Sequence, residues 1–267
     1  MPVSMIAMYY DISPDIVAFS TERQAIDPFS PYDGFNITHY SGDDPQHVAD
    51  CRKLLCQQLN IDDQHLVLPR QVHGTRIEEV NEQTLAAHTN AFVFHTADSP
   101  FEGVDALITT MPHTCIGVST ADCVPLLFYD CQTGAIAAAH AGWRGTVARI
   151  GRLTLTAMQD RYGTRAADVR AVIAPSIGPE AFEVGDEVYE QFQQAQFQMS
   201  EIAFKRENRW HIDLWQANAL DLADVGVPAD SINVTAICTH THYNRFFSAR
   251  RLGINSGRVF TGICKRS

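Results

Sequence analysis

The sequence predicts an α+β fold built on mixed β-sheets. Three observations carry that prediction. Strand-like apolar runs outnumber helical ones and cluster in the middle of the 267-residue chain. The helical stretches fall between groups of strands, without the strict alternation that a doubly wound parallel sheet requires. No phosphate loop or dinucleotide fingerprint opens any strand-to-helix turn. No Pro/Gly/Ser-rich linker or internal repeat divides the chain, so residues 1–267 read as one domain.

The elements follow in order. Ile16-Val17-Ala18-Phe19 predicts a first strand. Residues 20–37, with Pro28, Pro31 and Gly34, read as a long loop whose candidate polar contacts are Arg23 and Asn36. Asp44 can cap a helix with Pro45 at its first position. Val48, Cys51, Leu55 and Leu59 then share one helical face, and Cys56 is set apart from Cys51. Residues 65–69 form a short strand, and Gly74 marks a bend at His73. Residues 81–102 carry no clear pattern.

Strands are expected at 104–108, 114–118, 124–129 and 135–139, and one helix over 146–162. That helix has Val147, Ile150, Leu153, Ala157 and Met158 inside, and Gly163 ends it. A strand at 169–173 leads into the turn 174–179. Helices at 186–196 and 213–225, a strand at 232–238 and a last strand around Val259 complete the chain.

Composition excludes several functions. Twenty Lys+Arg against 31 Asp+Glu give a net charge of −11, which argues against nucleic acid or an anionic membrane as partner. A small anionic substrate held by local basic residues remains compatible. Residues 1–10 show no basic leader, and no apolar run approaches the roughly 20 residues of a membrane span. Seven cysteines, an odd number without disulfide-framework spacing, fit a reducing cytoplasm.

Chemistry concentrates at 121–146. Cys123 stands before one predicted strand, His140 ends the next, and Arg144 follows at a glycine-rich corner. His73, Cys123 and His140 supply two nitrogens and a sulfur, donors that suit zinc and also copper. Three ligands drawn from separate strands resemble a catalytic site with an open position. Two other readings stand beside this one. Cys123 can be a thiolate nucleophile with His140 as its base, or a buried inert thiol among hydrogen-bonded histidines.

Four motifs add a resemblance: Gln71-Val72-His73-Gly74, Asp105-Ala106-Leu107, Ala121-Asp122-Cys123-Val124-Pro125 and His140-Ala141-Gly142-Trp143-Arg144-Gly145-Thr146. With Pro175-Ser176-Ile177-Gly178-Pro179, Phe182-Glu183-Val184-Gly185, Cys238-Thr239 and Phe246-Phe247-Ser248-Ala249-Arg250, they resemble the YfiH/laccase-domain family. That family carries two labels, multicopper polyphenol oxidase and purine nucleoside phosphorylase. The resemblance implies stacked mixed sheets flanked by helices in α/β/β/α layers. It implies zinc on His73, Cys123 and His140. It implies phosphorolysis of adenosine, inosine and methylthioadenosine, and deamination of adenosine by a zinc-activated water.

The older family reading is copper-dependent oxidation of phenols, and likeness to certain cysteine hydrolases keeps the thiolate reading open. On the purine reading, Arg144 and the amides of its helix hold phosphate, Asn36 contacts ribose or base, and Arg23 is a further substrate contact. The structural alternative for Arg144 is an ion pair with Asp122 or Asp105. A non-enzymatic metal scaffold is the remaining alternative.

The chain departs from the family pattern in three places. Gln24-Ala25-Ile26 follow Arg23 where Gly-Gly is usual, Cys51-Arg52 replace Asn-Arg, and His240-Thr241-His242 is not a general family feature. A multicopper oxidase needs several His-x-His pairs and a Cys-His pair. This chain has one His-x-His, at His240 and His242, and no cysteine directly beside a histidine. His39, His47, His65, His88, His95, His113 and His211 are scattered singly. One three-ligand site is therefore expected, with a second ion near His240 and His242 if copper is used.

Overall fold

The computed structural model describes residues 6–88 and 99–266. His95, residues 1–5 of the stretch read for a leader, and Ser267 lie outside the described residues. The strands are β1 (Ala7–Tyr10), β2 (Ile16–Thr21), β3 (Leu66–Val67), β4 (Ile77–Glu79), β5 (Ala106–Thr109), β6 (Cys115–Thr120) and β7 (Val124–Asp130). They continue as β8 (Ile136–Ala141), β9 (Val169–Ile173), β10 (Glu183–Val184), β11 (Ala203–Arg206), β12 (Arg209–Ile212), β13 (Ile232–Val234) and β14 (Val259–Lys265). The helices are α1 (Pro45–Leu59), α2 (Glu82–Ala87), α3 (Trp143–Val147), α4 (Ile150–Tyr162), α5 (Asp186–Gln194), α6 (Met199–Ile202), α7 (Leu214–Asp224) and α8 (Ala249–Leu252).

Two mixed sheets face each other. One has the order β1-β2-β14-β6-β3, the other β13-β9-β7-β8-β5-β4, and a small antiparallel sheet runs β10-β12-β11. Side-chain alternation along the strands builds the layers. Leu127 and Tyr129 of β7, Ile136 and Ala138 of β8, and Val172 of β9 meet Ile16, Ala18, Ile116, Val118 and Ile263 from the opposing sheet. The intervening Leu126, Phe128, Ala137, Ala139 and Ile173 pack instead with Ile150, Met158, Val188, Phe192 and Leu222 from α4, α5 and α7. On the far side, Phe19, Cys115, Phe260 and Cys264 pack with Leu55 and Cys56 of α1. The expected α/β/β/α layering is what these three cores describe.

Capping and turn chemistry explain the best-predicted elements. Asp44 accepts the Gln46 and His47 amides at the start of α1. Gly163 adopts the left-handed conformation that ends α4. β7 and β8 form the expected hairpin.

Several expectations needed correction. The helix over 146–162 is two helices, α3 and α4, because Arg149 takes φ 59°. Its guanidinium lies 4.0 Å over the Phe197 ring and bonds Asp221 at 2.6 Å, contacts that sequence periodicity does not register. The break rephases the buried stripe to Ile150, Gly151, Thr154, Leu155 and Met158, leaving Leu153 39% exposed. On α1 the buried face takes Arg52, bonded to Asp63 and the Leu66 carbonyl, while Cys51 is only half-buried. The strand expected over 232–238 stops at Val234, before the positive φ of Ala236.

No described helix is long and apolar enough to cross a membrane. The sheet interior leaves little slack. A Cβ on Gly117 of β6 would stand 2.4 Å from the Phe260 ring and 2.6 Å from the Thr261 carbonyl oxygen. Gly117→Ala should therefore lower stability by about 1–3 kcal/mol, read as a reduced midpoint in urea unfolding. An unchanged midpoint would contradict this packing.

Candidate metal centre

The two sheets deliver the three expected donors to one corner. In the β7/β8 ladder Pro125 pairs with His140 and Val124 with Ala141, so Cys123, just before β7, lies beside the end of β8. Asp105 precedes β5 and meets His140 from the other side. The His140 amide donates to the Asp105 carbonyl at 2.8 Å, and His140 Nδ1 lies 2.8 Å from Asp105 Oδ1. Asp122, immediately before Cys123, takes φ 86°, a conformation costing on the order of 1–3 kcal/mol for a non-glycine residue. Its carboxylate is tied on both oxygens, accepting the Thr239 hydroxyl at 2.7 Å and the Arg250 amide at 2.7 Å.

His73 arrives on the loop that crosses from β3 in one sheet to β4 in the other. The Gln71 side chain anchors that loop to β6, donating to the Ser119 carbonyl and accepting its amide, both at 2.8 Å. Asp105 accepts the next three amides, Val72 at 3.2 Å, His73 at 3.0 Å and Gly74 at 2.8 Å. Within this clamp His73 adopts φ 61°. A Cβ on Gly142 would stand 3.1 Å from Cys123 Sγ and 3.2 Å from the His73 ring. The glycine thus keeps the corner open for both side chains.

One donor atom from each of His73, Cys123 and His140 lies within 4.8 Å of the other two. Cys123 Sγ is 3.9 Å from His73 Nε2. Two ligands of one tetrahedral zinc ion stand about 3.3–3.6 Å apart, so a single ion needs up to about 1 Å of closure. His73 is exposed, Cys123 half-buried and His140 buried, which leaves one side open. Burial acts most strongly on Cys123 and pushes its thiol up. His140 and then His73 outweigh burial and bring it down to about 6. Burial pulls His140 down, but the Cys123 thiolate and Asp105 raise it to about 9. Asp105 is held below its ordinary value, since His140 and the loop amides overcome its burial. A thiol already ionised at neutral pH, with two imidazoles, fits a borderline or soft cation. His140 has the carboxylate partner expected behind a ligating histidine. His73 has none among the described residues.

The corner opens into a cleft of about 560 Å³ walled by Tyr40, Trp143, Phe182, Ile254, Arg250 and Arg258. Three expected substrate residues stand elsewhere. Arg144 does not line this cleft; its guanidinium lies 4.2 Å over the Trp143 ring and pairs with neither Asp122 nor Asp105. Arg23 is fully buried and donates to the carbonyls of Asp27, Pro28, Ser30, Asp33 and Tyr243, bracing its own loop. Asn36 is buried behind the cleft. Its amide nitrogen donates to Asp43 and its oxygen accepts the Arg258 amide at 3.2 Å.

The cleft cations, Arg250 and Arg258, and the clamp, Asp105, were not singled out as site residues from sequence. Arg250 and Asp105 did lie in recognisable motifs; Arg258 carried no such signal. His242 Nδ1 is 3.0 Å from the Cys238 carbonyl. Among the described residues His73, Cys123 and His140 form the one cluster of three such donors, and His240 and His242 belong to no cluster of three.

A thiol and two imidazoles at the joint of two stacked mixed sheets define an α+β protein with a candidate soft-ligand metal site. The chain belongs to the multi-copper polyphenol oxidoreductase laccase family, whose sequence profile matches residues 17–266. It is 45% identical over 251 residues to a purine nucleoside phosphorylase of Bacteroides thetaiotaomicron, covering 93% of this chain and 91% of that one. It is 43% identical over 253 residues to adenosine deaminase RL5 from an unknown prokaryotic organism, covering 94% of each. The crystal structure of YlmD from Geobacillus stearothermophilus superposes with a TM-score of 0.89 at 28% identity, over 100% of this chain and 98% of that one.

The thiol electrostatics give a direct test. In protein stripped of metal by a chelator, iodoacetamide should alkylate Cys123 at pH 7.5 well before the buried Cys56, Cys115 and Cys264, whose thiols burial pushes up. Lowering the pH should protonate Cys123 and halve its rate near pH 6. A rate still climbing steeply between pH 8 and 9 would contradict the lowered thiol.

Proposed function

We propose that this chain is a cytoplasmic, zinc-dependent enzyme of purine nucleosides, acting as one domain. It phosphorolyses adenosine, inosine and methylthioadenosine and deaminates adenosine. The observation that carries the reading is the joining of His73, Cys123 and His140 to a cleft with aromatic walls and two arginines. Neither Arg250 nor Arg258 pairs with a carboxylate among the described residues, in a chain whose net charge is −11. The names of the Bacteroides thetaiotaomicron and RL5 relatives support the same substrate class.

His73, Cys123 and His140 would hold the zinc. Bound there, zinc would supply Lewis acidity and water activation at neutral pH. Tyr40, Trp143 and Phe182 offer flat apolar faces for a purine. Arg250 and Arg258 take the phosphate role first given to Arg144, since they line the cleft. Asn36 acts behind Arg258 and not on the ribose. Copper in the same three ligands is the seat of any phenol oxidation, since thiolate and imidazole suit both metals.

Zinc-loaded protein should convert adenosine and phosphate to adenine and a sugar phosphate. Cys123→Ser should lose bound metal and turnover together. Arg258→Ala or Arg250→Ala should raise KM for phosphate about tenfold or more, the cost of a lost charge-assisted hydrogen bond. Cys123→Ser that keeps its metal but not its activity, with an adduct trapped on the wild-type thiol, would favour a nucleophile instead. Phenol oxidation by the copper form with no nucleoside turnover by the zinc form would favour the oxidase.

A further inference from the structure

A second thiol–imidazole–carboxylate series stands at the N-terminal end of α1, apart from the metal centre. His47 and Cys51, four residues apart on α1, share one helix face, and Asp43 stands just before the helix cap Asp44. Cys51 Sγ lies 3.4 Å from His47 Nε2. His47 Nδ1 lies 3.0 Å from Asp43 Oδ2. The Asp43 side chain is 5% exposed and also accepts the Asn36 side-chain amide at 2.8 Å. A carboxylate on Nδ1 holds the proton of a neutral imidazole there and leaves Nε2 as the base facing the thiol. The two ring nitrogens face opposite ways, so the three groups work in series and do not converge on one ion.

The surroundings separate Cys51 from the other thiols of its layer. Cys56, Cys115 and Cys264 are buried in the core under α1, and among the described residues none of them hydrogen-bonds an imidazole. Cys51 is half-buried at the edge of that core and keeps some contact with solvent. Burial raises its thiol, and Asp43 and Asp50 add to this against the opposing Asn36 backbone contact. A thiol that stays protonated at neutral pH is a weak nucleophile unless an adjacent base takes its proton.

We propose that Cys51 is a peroxide-reactive thiol, with His47 as its general base and Asp43 holding His47 in place. Cys51 Sγ attacks one oxygen of hydrogen peroxide as its proton passes to His47 Nε2. The O–O bond breaks, and the departing hydroxide takes that proton from His47 and leaves as water. Cys51 is oxidised by two electrons to a sulfenic acid, and the peroxide is reduced.

The test treats the full chain with hydrogen peroxide, traps sulfenic acid with dimedone and quantifies each cysteine by peptide mass spectrometry. Cys51 should be trapped at least about tenfold faster than Cys115 or Cys264. His47→Gln and Asp43→Asn should each slow trapping at Cys51 by at least about tenfold, the low end of what a positioned base contributes. Oxidation of Cys123 in the same samples should not change, which shows that the fold is intact. His47 is partly exposed, so its replacement leaves the core in place even if Asp43→Asn does not fold. Trapping at Cys51 no faster than at the buried thiols, or equal rates in wild type and His47→Gln, would overturn the proposal.

Discussion

The candidate site depends on one buried carboxylate. Asp105 has no exposed surface, yet it accepts the amides of Val72, His73 and Gly74 and faces His140 Nδ1. A carboxylate so buried persists as an anion only because each of these groups answers it. In return it fixes a loop that belongs to neither sheet, joining β3 of one to β4 of the other. It also fixes the ring of His140 and leaves Nε2 turned toward Cys123. The left-handed backbone at His73 and Asp122 is sustained by bonds of this kind on either side of the corner.

The two thiol sites show how far neighbours decide chemistry. Cys123 and Cys51 each have an imidazole with a carboxylate behind it. Cys123 faces two imidazoles, and together they outweigh burial and lower its thiol. Cys51 faces one imidazole and feels Asp43 and Asp50, so burial prevails and its thiol is raised. The same three residue types thus give a lowered thiol at one place and a raised one at the other.

Much of the fold was legible where pattern and packing agree. The run from Val124 to Tyr129 is wholly buried between two layers, which is why it reads as an uninterrupted apolar strand. His73, Cys123 and His140 were legible because their side chains have few roles when brought together. That Arg23, Asn36 and Arg144 stand off the cleft lining was not legible, because a sequence shows a polar group but not where it points. The carbonyls around Arg23 come from its own loop and from Tyr243, 220 residues away. Arg258 was missed for the same reason, since the cleft exists only once distant segments meet. The strands β10, β11 and β12 are too short and too exposed to show alternation.

The most direct test of the clamp is the zinc affinity of Asp105→Asn, measured by competition with a chromophoric chelator at pH 7.5. Asparagine keeps the size of the side chain but removes the charge behind His140 and an acceptor for the loop amides. All three ligand side chains remain. The account predicts binding weaker by about 10–100-fold, in a variant whose circular dichroism shows the native fold. An affinity equal to that of the wild type in a folded variant would contradict it.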